Sequence, residues 1–160
     1  MPAPFSSLDT LCLVVSRLWL AGLAPRMPGT CGSAVALMLA PFLFLPLPYA
    51  ALCLLLVLIF IFGALAAGRV EQMTGITDPP EVVIDELLGM WLVLLPFKEP
   101  SLGLMLAAFV FFRIFDMLKP WPVNASEHWL PGGFGIMLDD AVAALLALAC
   151  LGLLRSLNVL

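Results

Sequence analysis

Charge is what this sequence most lacks. Seven Lys and Arg and eleven Asp and Glu make up 11% of its 160 residues, while 63% are hydrophobic. Soluble domains carry about a quarter charged residues and about half apolar ones. With a mean hydropathy of +1.13, the chain has more apolar surface than a water-soluble core can hide, so lipid must cover part of it. Between Met27 and Gly68 no residue is charged at all. The formal net charge of −4 argues against nucleic acid as a partner. It also means that an anionic substrate would need a recruited cation, for which a metal ion is the obvious candidate.

Other absences narrow the chemistry. Cys12, Cys31, Cys53 and Cys150 include no C-x-x-C pair, so neither a zinc knuckle nor a disulfide framework is indicated. Three of them sit in apolar runs, where cysteine acts as a small hydrophobe. Leu37, not Arg, stands six residues after Cys31, which removes the cysteine-phosphatase loop; the D-x-D-x-T and K-x₆-R-P signatures are missing too. The single histidine, His128, falls in a loop and reads as a surface residue. No Lys or Arg precedes Arg17, so the basic region of a cleaved signal peptide is not expected. No internal repeat or low-complexity linker is visible, and 160 residues fit one domain.

What is present is a series of apolar segments punctuated by proline. They predict an all-α, polytopic helical membrane protein of about five to six helices, with short or partly re-entrant spans. The expected helices cover 8–23, 33–45, 49–67, 82–95, 101–118 and 135–157, with loops at 24–32, 69–81 and 119–134. The 33–45 segment is short of the roughly 20 residues that a full span needs. If 33–45 pairs with 49–67 and 82–95 with 101–118 as hairpins, the three loops share a side. Gly29, Thr30, Asp78, Asp85, Glu86, Arg113, Asp116, Lys119, Asp139 and Asp140 then gather at one face, opposite Lys98, Glu99 and Arg155. Arg26, Arg69, Arg113 and Lys119 on the loaded face direct it to the cytoplasm by the positive-inside rule.

Ionisable residues in or beside membrane helices are costly and tend to be functional. Asp85, Glu86, Asp116, Asp139 and Asp140 come from three separate segments, as a metal site built between helices requires. Mg²⁺ takes hard oxygen ligands and keeps several waters, so a few carboxylates plus a substrate phosphate suffice. Arg113, Asp116 and Lys119 follow at i, i+3, i+6, which on a helix flanks one carboxylate with two phosphate-binding cations. Plainer readings exist for each. Acids at a helix start favour the dipole, Arg113–Asp116 reads equally as a structural ion pair, and Asp78 and Glu81 read as solvated loop residues. The glycine-bearing segments before 33 and 135 read either as tight turns or as phosphate cradles.

Four segments together resemble the phosphatidylglycerophosphatase A family: PGTCGS at 28–33, DELLGMW at 85–91, FRIFDMLKPWP at 112–122 and GGFGIMLDD at 132–140. They stand in the family's order, and the pairing of FRxxDxxKPWP with GGxGIMxDD is the specific part. The resemblance implies a Mg²⁺-dependent phosphomonoesterase that converts phosphatidylglycerophosphate to phosphatidylglycerol and phosphate at the cytoplasmic face of a bacterial inner membrane. It favours Asp85, Glu86, Asp116, Asp139 and Asp140 as metal-site and catalytic residues, with Arg113, Lys119 and Thr30 at the phosphate. Two other readings remain at this stage. One is a small cation-coupled transporter using the carboxylate cluster, and the other a scaffolding subunit using the ion pairs between helices.

Overall fold

The structure, a computed structural model, describes residues 6–157, and every regular element among them is helical. The order is α1 (Ser7–Ser16), a 3₁₀ turn at Ala21–Leu23, α2 (Pro28–Leu39) with a π turn at Ala40–Phe44, α3 (Tyr49–Thr74), α4 (Ile84–Leu94), α5 (Leu102–Leu118), the single turn α6 (Val123–Ser126) and α7 (Gly133–Ser156).

Two helices among the described residues are long and apolar enough to cross a membrane by themselves: α3 with a mean hydropathy of 2.9 and α7 with 2.1. The outer face of α3 exposes Leu54, Val57, Leu58, Ile61, Phe62 and Leu65, a surface that only an apolar medium satisfies. With these two helices the chain is a membrane protein. The remaining helices are shorter for identifiable reasons. In α4 every residue but Leu92 is buried, so its ends are covered by neighbouring helices and need not reach the bilayer surfaces. At Pro41 the ring removes a backbone donor and clashes with the preceding turn. The helix continues past it only by widening, with Leu45 N–H donating to Ala40 O at 2.8 Å. That π turn carries Phe44 into the core, where its ring stacks on Trp91 at 5.0 Å. Trp91 Nε1 in turn donates to Ala36 O at 2.9 Å, tying α4 to α2.

Helix boundaries differ from expectation at two places. The segment 24–32 is not all loop, because α2 begins at Pro28, a residue suited to the first helical position. The glycines and Thr30 therefore lie within the first turn of a helix. The N-terminal helix stops at Ser16 instead of reaching 23: Leu18 and Trp19 adopt positive φ, and Arg17 is drawn to Glu81 at 2.6 Å. Glu81, expected to be solvated, is thus an ion-pair partner. Asp9 pairs with Arg69 at 2.7 Å, so both ends of α1 are tied to the same end of the bundle. At ten residues, about 15 Å, α1 does not span. At the end of α5 the boundary falls at Leu118, as expected, and Lys119 follows it. It caps α5 in the left-handed region (φ 41, ψ 53), its N–H donating to Phe115 O; the following proline disfavours the α region there.

Chain direction puts the start of α2, the end of α3, the start of α4, the end of α5 and the start of α7 at one end. At the other end Lys98 Nζ donates to Leu45 O at 2.7 Å and to Leu47 O, capping the turn between α2 and α3. The helices α3 and α7 cross at backbone contact. A Cβ on Gly133 would stand 2.0 Å from Ala64 O and 2.4 Å from Gly68 N. Gly133→Ala must therefore separate the two long helices, and about 1–3 kcal/mol of stability should be lost. Thermal unfolding in detergent measures this, with a Gly152→Ala control, whose Cβ meets nothing within 4 Å.

Candidate active site

A cavity of about 260 Å³ opens at the loaded end, and all eight residues singled out in the sequence line it. Asp85 and Glu86 come from the first turn of α4, Asp139 and Asp140 from the second turn of α7. Arg113 and Asp116 come from the last turns of α5, Lys119 from its cap and Thr30 from the first turn of α2. The four carboxylates on α4 and α7 are all under 9% exposed.

Within the cavity the eight residues divide into two groups. Asp85, Glu86 and Asp140 each bring a carboxylate oxygen within 4.8 Å of the others. Glu86 Oε2 and Asp140 Oδ2 are buried and have no hydrogen-bond partner, and among the described residues neither Asp85 nor Asp140 meets a cation. Asp116 and Asp139 are instead held by cations. Arg113 Nη1 contacts Asp116 Oδ2 and lies 3.5 Å from Glu86 Oε1. Lys119 Nζ lies 2.6 Å from Asp139 Oδ2, 3.4 Å from Glu127 Oε2 and 3.9 Å from Asp78 Oδ2. The i, i+6 geometry expected on α5 is therefore replaced: Lys119 swings to α7, although it still faces the cavity.

Burial works to lower the affinity of Lys119 for its proton, but the hydrogen bond and charge of Asp139, with Asp78 and Glu127 beyond, raise it above the usual lysine range. Asp78 is pushed up by burial, opposed by Lys119. Two neighbours had no sequence signal. Glu127, eight residues beyond Lys119, folds back onto it across the turn that includes α6. Ser33 Oγ donates to Gly29 O at 2.9 Å and receives a long 3.5 Å contact from Arg113 Nη1. Asp78, taken for a loop residue, lines the same cavity. His128 is not among the residues lining the cavity, and the four cysteines are free.

Seven carboxylates thus surround two cations. The carboxylates are Asp78, Asp85, Glu86, Asp116, Glu127, Asp139 and Asp140, and the cations are Arg113 and Lys119. Like charges this close raise the free energy of the ionised cluster unless a cation joins it. The donor set is all hard oxygen, with orphaned buried oxygens facing one another, so it fits a small divalent cation such as Mg²⁺. Thr30 Oγ1, buried in the cavity wall without a partner, is available to a further ligand.

Fold and site together define an apolar helical membrane protein with a carboxylate-lined, cation-flanked pocket at one end of its long helices. The chain belongs to the phosphatidylglycerophosphatase A family, which it matches over residues 14–155. Phosphatidylglycerophosphatase A of Escherichia coli K12 is 36% identical over 129 residues, covering 79% of this chain and 73% of the relative. The Haemophilus influenzae protein of the same name is 35% identical over 127 residues, 79% of this chain and 78% of its own. A Bacteroides thetaiotaomicron protein provisionally named phosphatidylinositol-3-phosphatase is 37% identical over 141 residues, with 84% and 87% covered. No solved structure matches the chain.

Gly29 is the tightest point of the site. A Cβ there would stand 2.1 Å from Glu86 Oε1 and 3.2 Å from Arg113 Nη1. Gly29→Ala is expected to displace the Glu86 carboxylate and to lower kcat by about 10-fold or more, with the melting temperature in detergent nearly unchanged. Native activity in this variant would mean that the position of Glu86 does not matter.

Proposed function

We propose that the chain is a divalent-cation-dependent lipid phosphatase that hydrolyses phosphatidylglycerophosphate to phosphatidylglycerol and phosphate. Family membership supports the activity. The observation that carries the metal dependence is the trio Asp85, Glu86 and Asp140, buried and mutually close, with Glu86 Oε2 and Asp140 Oδ2 unpartnered and only the 3.5 Å contact of Arg113 to Glu86 Oε1 to offset their charge. These three would hold Mg²⁺, which would supply positive charge both to the carboxylates and to a phosphate oxygen.

The chain's own residues do the rest. The guanidinium of Arg113 and the ammonium of Lys119 bind the phosphate, Arg113 as a fork and Lys119 as a point charge. Asp116 and Asp139 hold these two cations in place until substrate arrives. Thr30 Oγ1, unpaired in the wall, donates to a phosphate oxygen or orients the attacking water. A carboxylate oxygen without a partner, Glu86 Oε2 or Asp140 Oδ2, accepts the proton of that water. Water attacks phosphorus, the P–O bond to the glycerol headgroup breaks, and the leaving alkoxide takes the proton that the carboxylate accepted from the water.

The site sits where a headgroup does, at the end of the helices and not at their middle, where transporter sites usually lie. This position favours the phosphatase over the cation-coupled transporter. The loaded end would face the cytoplasm of a bacterial inner membrane, as the Arg and Lys there favour. Further spanning by α2 and α5, for a multi-pass total of five to six helices, belongs to the same proposal.

Three measurements test this. Phosphate release from phosphatidylglycerophosphate in mixed micelles should cease in excess EDTA and return with Mg²⁺; full turnover in metal-stripped protein would overturn the metal dependence. Asp116→Asn should lower kcat by about 100-fold or more while the protein stays folded, whereas Glu99→Gln, at the opposite end, should be silent. Single cysteines at Gln72 and Asn124 in a cysteine-free background should react with an impermeant thiol reagent from the cytoplasmic side only. Labelling of either from the other side would refute the shared-face topology.

A further inference from the structure

The chain has seven cationic side chains, and six of them are committed. Arg17 pairs with Glu81 and Arg69 with Asp9. Arg113 and Lys119 are bound to carboxylates inside the pocket. Lys98 caps backbone carbonyls and Arg155 stacks on Phe97, both at the opposite end. Arg26 alone has no ion pair, side-chain hydrogen bond or cation–π contact among the described residues, and it is exposed. It immediately precedes Met27 and Pro28, both of which line the pocket.

We propose that Arg26 is a second anion subsite at the pocket mouth. It takes the linking phosphodiester of the lipid while the terminal phosphate lies between Arg113 and Lys119. The inference rests on the phosphatase reading and adds the feature by which a two-phosphate lipid is told from a one-phosphate lipid. Its first support is size. About 260 Å³ is below the roughly 300–1,000 Å³ that encloses a drug-sized ligand, so the cavity takes a headgroup and leaves the acyl chains outside. Its second is the lip. Met27 and Met117 line the cavity and are 56% and 58% exposed, which makes the mouth apolar and flexible, suited to passing chains into the leaflet. The diester lies between headgroup and chains, at the level of that lip, and Arg26 is the next residue. Its third is charge. Seven carboxylates in and around the pocket repel a second phosphate at the mouth, and the two inner cations are occupied by the first. A cation outside the cluster is therefore needed.

The experiment uses the full chain in neutral-detergent micelles, with phosphatidylglycerophosphate or phosphatidate at matched mole fraction, as substrate or competitive inhibitor. Arg26→Gln should raise KM for phosphatidylglycerophosphate about three- to tenfold with kcat within about twofold. The KM or inhibition constant of phosphatidate, which has no linking diester to a headgroup, should move less than about twofold, and Arg26→Lys should restore most of the lost affinity. An equal shift for both lipids would reveal general surface electrostatics and overturn the subsite, and so would no shift for the two-phosphate lipid. Failure of the unaltered protein to hydrolyse phosphatidylglycerophosphate is read before any variant and would refute the phosphatase reading itself.

Discussion

The constraint on which the structure depends is the burial of Asp85, Glu86 and Asp140 against one another inside an apolar bundle. Removing a carboxylate from water without a partner is among the most expensive things a fold can do. A chain that is 63% hydrophobic and 11% charged has few polar groups with which to offset it. The nearby cations are already assigned: Arg113 to Asp116 and Lys119 to Asp139. The trio is therefore stable only with an external cation or with shared protons, and the fold is arranged so that the three cannot move apart. Asp85 and Glu86 are adjacent on α4, which is covered on all sides. Asp140 is fixed by the approach of α7 to α3, where Gly133 meets the backbone at Ala64.

Helix length serves this arrangement. The helices α3 and α7 are long and apolar enough to cross a bilayer, and the site lies at one end of them. The short helix α4, enclosed by its neighbours, carries two of the three carboxylates to the same level without crossing by itself. The ties from α1, Asp9 to Arg69 and Arg17 to Glu81, brace the chain just before α4. Val83 N–H donating to Ser16 O at 2.8 Å does the same. The carboxylates at this end of the bundle are thus supported on one side by helix packing and on the other by ion pairs.

The residues of the site were legible in the sequence because charge is so rare in it. With so few ionisable groups, the ones flanking apolar runs stand out, and hairpin connectivity brings them to one end. All eight line one cavity. What the sequence hid was the pairing. The helix end at 118 was legible, but the left-handed cap at Lys119 that sends its ammonium to Asp139 was not. Glu127, Ser33 and Asp78 reach the site by long-range folding, which periodicity does not encode. Helix starts were misjudged where glycine and proline were taken for loop. Pro28 and Gly29 instead open α2, because proline is favoured in a first turn and Gly29 leaves room for Glu86. Hydropathy counts apolar runs and does not show that α4 is wrapped by protein.

The two inner cations explain how so acidic a pocket can accept a phosphate. Each is held by a carboxylate that is not part of the unpaired trio, so each is positioned before substrate binds and little reorganisation is needed. On the proposed reading, an arriving phosphate would exchange one anionic partner for another at Arg113 and Lys119, and these sites would need no new charge. Lys119 keeps its proton because Asp139, Asp78 and Glu127 surround it, which outweighs the effect of burial. It therefore remains a cation wherever a phosphomonoester is dianionic. The ion pairs that a purely structural account would assign to helix packing would, on the proposed reading, be the resting state of a phosphate site. They keep Arg113 and Lys119 extended into the cavity, and they keep Asp116 and Asp139 from adding two more uncompensated charges to a cluster that already has three.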